Sequence, residues 1–204
     1  MFFEKTMSFF AGTLGAFIIN ILCWQLNQGD FHQHELFYIV ANILICALLF
    51  YAILKDKIAT LRLPSWLELG LAAVVFVGMF LFMALYLPLV HSQSGASSEI
   101  HAITATGISL SFFLEASLFG PLREEIFIRG FLQKGVFNHN WWGLLLSSAF
   151  FSILHAPLNV AAFVYYAVMG LAYGWAYKKS DNLLIPILLH ITWNGLWTLI
   201  DLFQ

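Results

Sequence analysis

Residues 36–54 read LFYIVANILICALLFYAIL, nineteen in a row without a charge. At about 1.5 Å per residue such a helix matches the hydrocarbon thickness of a bilayer. The run is one of seven, drawn at roughly 7–26, 36–54, 66–90, 103–120, 141–157, 160–177 and 183–203. A soluble domain of this length needs far more polar surface than a chain that is 61% hydrophobic and 10% charged, with a mean hydropathy of +0.83, can supply. The expected fold class is therefore all-α, a polytopic membrane bundle of about seven transmembrane helices.

No polar stretch is long enough to hold a core of its own, so residues 1–204 read as a single membrane domain. Within it, 1–100 supply N-terminal accessory spans, and 103–204 form a core that carries three polar motifs. The longest polar connection is HSQSGASSEIHA, 91–102, and SWLE places a capping box at Ser65 and Glu68 where the third span opens. Cys23 and Cys46 lie inside apolar runs and read as reduced, buried thiols. The N-terminus has no basic leader region and no small-residue cleavage site, so the first span is expected to be retained. A net charge of −2 without a basic run gives no reason to expect nucleic acid. Oligomeric state is not readable.

Seven spans sort the basic residues cleanly. Lys5, Lys55, Lys57, Arg62, Arg123, Arg129, Lys134, Lys178 and Lys179 all fall on the N-terminus or on connections at one side. The connections at the other side carry Asp30, Glu35 and Glu99. The positive-inside rule then puts the N-terminus in the cytoplasm and the C-terminus outside. On this reading Arg123 and Lys134 are topology anchors in a connection spanning 121–140.

Ionisable groups inside spans are costly and are functional candidates by default. Three clusters qualify: EEIFIR with Glu124, Glu125 and Arg129; FSILH with Phe151 and His155; HITWN with His190 and Asn194. Counted from Lys134–Phe137, from Trp141 and from Lys179–Asp181, the three clusters lie about 15–20 Å deep, in one layer near mid-membrane. Adjacent Glu124 and Glu125 point about 100° apart. Glu125 and Arg129 are i,i+4 with the acid first, the favourable order for a pair. That pairing leaves Glu124 to face a cavity as a base. His190 and Asn194 share a helix face, and Phe151 can pack on His155. A helix restarting at Pro121 would aim its positive end near Glu124. Pro186 would kink the last span beside His190.

Each cluster alone also has a plainer reading. EEIFIR can be a charged helix end among headgroups. FSILH is easily matched in a chain with 21 phenylalanines. HITWN can be interhelical polar glue. His139, His32, His34, His91 and His101 read as loop or interfacial residues. Taken together, Glu, two His and Asn suggest activation of water, with a carboxylate and His155 handling its proton and His190 and Asn194 donating to an oxyanion. That constellation hydrolyses a peptide or ester bond. Zinc could use the same His and Glu, although HExxH is absent and Asn is a poor zinc ligand. A non-catalytic peptide-binding or immunity protein and a proton-coupled transporter also remain open.

EExxxR, FxxxH and HxxxN in this order resemble the CPBP family, also called Abi or type II CAAX prenyl proteases, over roughly 115–200. The resemblance implies an all-helical intramembrane endopeptidase of the glutamate type, often labelled a metalloprotease. It implies that Glu124 and His155 activate water, that His190 and Asn194 form the oxyanion site, and that Glu125, Arg129 and Phe151 support them. No cofactor is implied, zinc being the alternative. The partners implied are membrane lipid and a peptide or protein substrate with a membrane-proximal segment: a C-terminal CAAX-like or sorting signal, or a peptide precursor. The small chain suggests a bacterial member in the cytoplasmic membrane.

Overall fold

The computed structural model describes residues 35–55, 57–86 and 109–202, and every regular element among them is helical. The first expected span, Cys23, the loop 91–102, and His32, His34, His91 and His101 lie outside the described residues. Six helices follow: α1 Glu35–Lys55, α2 Trp66–Tyr86, α3 at 110–136, α4 Trp141–Leu154, α5 Val160–Ser180 and α6 Leu184–Leu202. The fold class is all-α. Four helices, α1, α2, α5 and α6, are long and apolar enough to cross a membrane, and α4 is apolar but shorter.

The first two helices carry apolar side chains on their exposed faces. In α1 the buried residues are Tyr38, Asn42, Cys46, Leu49 and Ile53, one stripe at spacings of three and four. Leu36, Phe37, Ile43 and Leu48 on the other faces are exposed. In water that surface would be costly; in hydrocarbon it costs nothing, and the bundle side is free to carry polar Asn42. α2 repeats the pattern, burying Glu68, Val75, Met79 and Met83 while Trp66 is 88% exposed. Its capping box forms as the sequence predicts: the Glu68 N–H donates to Ser65 Oγ at 3.3 Å, and the Ser65 N–H donates to Glu68 Oε2 at 2.8 Å. Arg62 adds a bidentate pair to Glu68 at 2.7 and 2.6 Å.

The connections 57–65, 137–140 and 181–183 meet at one end. Asn182, fully buried, clamps the backbone of Arg62 from both sides, at 3.0 and 3.3 Å. The Leu183 N–H donates to the Thr60 carbonyl at 2.9 Å. Lys134 pairs with Asp181, and Lys178 donates to the His139 carbonyl. Lys178, Lys179 and Lys55 each hold their ammonium over an aromatic ring, Trp141, Trp175 and Tyr51 respectively. His139 sits in this turn at φ 58°, and burial lowers its pKa below the usual histidine value, despite the charge of Asp181.

Two expectations about α3 are corrected. The helix does not restart at Pro121; it runs unbroken from 110 to 136, widened into π-type turns at Glu115–Phe119 and Ile126–Val136. The wide turn accommodates the proline ring that a tight α-turn would reject. Nor is 121–140 a connection. Arg123 and Arg129 lie inside the bundle, where each has a carboxylate to neutralise it: Glu115 for Arg123 and Glu125 for Arg129. Arg123 is therefore no topology anchor. Pro186 stands in the first turn of α6, where a missing N–H removes no intrahelical bond, so the expected kink has no cause.

α4 and α5 meet through small residues. A Cβ on Gly170 would stand 3.1 Å from both Cα and the carbonyl oxygen of Ser148, and one on Gly174 would strike Leu144 Cδ1 at 2.6 Å. These glycines, four apart, bring two backbones together as small-xxx-small pairs do in membranes. Gly170→Ala is expected to cost about 1–3 kcal/mol by overpacking, because backbone cannot step aside. Gly78→Ala in α2, where a Cβ meets nothing within 4 Å, is expected to be neutral or mildly stabilising. Thermal unfolding of the two variants in detergent checks this; equal midpoints would remove the close-contact argument.

Candidate active site

The site is built where α3, α4, α5 and α6 face one another. α3 contributes the Glu124–Glu125 pair. Glu125 is completely buried, and both its oxygens are occupied: Arg129 Nε donates to Oε2 at 3.1 Å, and His190 Nδ1 donates to Oε1 at 2.9 Å. Arg129, also completely buried, spends Nη1 on Ser147 Oγ at 3.2 Å. Ser147 donates to Gln133 Oε1 at 3.4 Å, and Gln133 donates onward to the Gly174 carbonyl at 2.9 Å. The pairing expected from i,i+4 spacing is present, and it extends to α6 through a residue the spacing did not tie to it.

Glu124 is different. It is half-buried, and its Oε2 is buried with no hydrogen-bond partner among the described residues. Its charge lies within electrostatic reach of His155. His155 caps the C-terminus of α4, where Ala156 turns left-handed at φ 45°. Its Nδ1 donates to the Phe151 carbonyl at 2.8 Å, which leaves the Nε2 lone pair available. Phe151 joins the histidines: its ring lies 4.4 Å from His155, 5.6 Å from His190 and 5.5 Å from the Arg129 guanidinium carbon.

Asn194 sits further along α6. Its amide donates to the Ala116 carbonyl on α3 at 3.2 Å. Pro121 has no N–H to offer the carbonyls one turn before it, and in a π-type turn Ala116 is the one left over. Asn194 fills that gap with one of its two amide hydrogens. The structure thus joins Glu125, Arg129, Phe151, His155 and His190 through direct contacts, leaves Glu124 within electrostatic reach of His155, and ties Asn194 to α3 separately. With its Nδ1–H given to Glu125, His190 presents Nε2, which donates only when the ring is protonated. A zinc ion would take Glu124 and the two Nε2 atoms. However, among the described residues no three His, Cys, Asp or Glu side chains are placed to share one ion.

Sequence reasoning missed a second buried network. Glu115 takes Arg123 as a bidentate pair, accepts from Tyr38 at 2.7 Å, and shares Arg123 with Asn42. A carboxylate inside an apolar run was the available signal. Tyr166 and Tyr173 on α5, which stack on His155 and His190, carried no signal in any motif.

Residues 106–196 match the family described as Type II CAAX prenyl endopeptidase Rce1-like. The chain is 29% identical over 173 residues to "Uncharacterized 24.3 kDa protein" of Escherichia coli, covering 78% of this chain and 77% of that one. It is 28% identical over 81 residues to "Putative membrane peptidase YdiL" of Bacillus subtilis, covering 39% of this chain and 32% of that relative. No solved structure matches. EEIFIR, FSILH and HITWN all fall within the matched segment, so the resemblance they carry is borne out.

Proposed function

We propose, for an integral membrane protein that at family level is a CAAX-type membrane protease, that it is a metal-free intramembrane endopeptidase with Glu124 as its base. One observation carries the reading: of two adjacent glutamates, Glu125 is fully committed and Glu124 keeps a buried oxygen without a partner among the described residues. A buried carboxylate oxygen without a donor carries a desolvation cost, so its retention calls for a use.

In the proposed reaction Glu124, with His155 Nε2 beside it, takes a proton from water. The resulting hydroxide attacks the scissile carbonyl carbon, and the developing oxyanion is met from α6, where Asn194 has a second amide hydrogen to donate and His190 borders the site. Collapse breaks the C–N bond, and Glu124 returns the proton to the leaving amine. The substrate is a peptide or protein segment at the membrane, of the CAAX-like, sorting-signal or precursor kind.

The test is cleavage of such peptides by purified protein in detergent, with wild type, Glu124→Ala and a chelator side by side. Loss in the variant alone is expected. Loss with chelator and recovery with zinc would replace this mechanism by a metal one, and turnover by Glu124→Ala would remove it.

The proposed location is the bacterial cytoplasmic membrane, with the N-terminus inside. The gathering of Lys55, Lys57, Arg62, Lys134, Lys178 and Lys179 at one end supports it. A cysteine introduced at Asn138 should resist an impermeant thiol reagent in intact cells and react after lysis; labelling before lysis would reverse the orientation.

A further inference from the structure

α5 supplies none of the three motifs, yet its tyrosines lie flat on both candidate histidines. The ring of Tyr166 stacks on His155 at 4.4 Å between centroids and 22° between planes. The ring of Tyr173 stacks on His190 at 4.6 Å and 19°. The two tyrosines are seven residues apart, two helical turns, and so share one face of α5.

Among the described residues each imidazole has a single hydrogen bond, from Nδ1, His155 to the Phe151 carbonyl and His190 to Glu125. One in-plane bond fixes a direction but leaves the ring able to tilt about it. A flat aromatic neighbour removes that freedom. Phe151 bounds both rings at steeper angles, 42° to His155 and 65° to His190. With a stacked ring on its face and a second ring across it, each Nε2 has one direction. A misplacement of about 1 Å in such a constellation can cost 100-fold in rate.

We propose that Tyr166 and Tyr173 are positioning residues for the hydrolysis: each holds one histidine in the Nδ1–H tautomer with Nε2 aimed at the reacting centre. The inference rests on the protease reading, but its first test does not. Histidine ring nitrogens report their tautomer in 15N NMR of the protein in detergent. Wild type, Tyr166→Phe and Tyr173→Phe should show His155 and His190 protonated at Nδ1. Tyr166→Leu should mix the tautomers of His155 alone, and Tyr173→Leu those of His190 alone. Unchanged tautomers in both leucine variants, or both histidines loosening together in either one, would overturn the proposal. Tyr173 is fully buried and its leucine variant is the one at risk of unfolding; half-buried Tyr166 carries the test by itself.

In the cleavage assay the leucine variants should lose roughly 10- to 100-fold in kcat with KM unchanged, and the phenylalanine variants should be restored to near wild type. A loss in KM alone, or no recovery with phenylalanine, would contradict a role in aligning the histidines. If wild type cuts nothing, the protease reading fails and the NMR result still decides the stacking claim.

Discussion

Glu124→Gln is expected to lower cleavage by about two to four orders of magnitude, the range for removing a general base, while leaving the protein folded. The amide has nearly the same shape and cannot take a proton from water. It also replaces a carboxylate whose Oε2 has no donor among the described residues. Removing that charge breaks no hydrogen bond, so the melting point should hold or rise. The neighbouring substitution behaves in the opposite way. Glu125→Gln weakens the hold on Arg129 and His190 together. It should lower stability and activity at once. Turnover and thermal midpoint measured on both variants separate the roles; equal effects on both properties would mean that the two glutamates are not divided between chemistry and structure.

The largest effect on folding is expected from Arg129→Met. Arg129 and Glu125 are both 0% exposed, and removing one member of such a pair leaves a charge buried without its counterion. That typically costs about 3–5 kcal/mol, against a total stability of about 5–15 kcal/mol. The double variant Glu125→Gln with Arg129→Met removes both charges and should recover most of the loss, because the pair's net contribution is small beside the cost of breaking it. Activity should stay low in the double variant, since His190 then lacks its carboxylate. Denaturant or thermal unfolding of the single and double variants gives the coupling directly. A single variant as stable as wild type would show the pair to be dispensable.

How far the sequence could be read depended on local spacing. The capping box at Ser65–Glu68 and the pair Glu125–Arg129 lie three and four residues apart on regular helix, and ordinary helical geometry places them correctly. Glu115 and Arg123 are eight apart. On a uniform α-helix that spacing separates them by about 80°. The wide turn at Glu115–Phe119 absorbs roughly one residue and returns them to one face. Nothing in the residue types announces that turn except Pro121, which by residue type alone predicts a break. The same irregularity hid the partner of Asn194. The contact of Glu125 with His190 bridges 65 positions. The stacking of Tyr166 and Tyr173 depends on which face of α5 turns toward α4 and α6, which a nearly all-apolar helix does not advertise.

The glycine seam between α4 and α5 also limits the paths by which a substrate can arrive. An extended peptide needs about 4.7–4.9 Å of clearance even when paired edge to edge with another strand. At Gly170 the two helices leave less than a methyl group's room beside the Ser148 backbone. That wall leaves no room for a chain to pass between α4 and α5, so under the proposed function a membrane-embedded substrate would approach Glu124 from another side of the bundle or from one of its ends. Widening the seam would open a leak without opening a door.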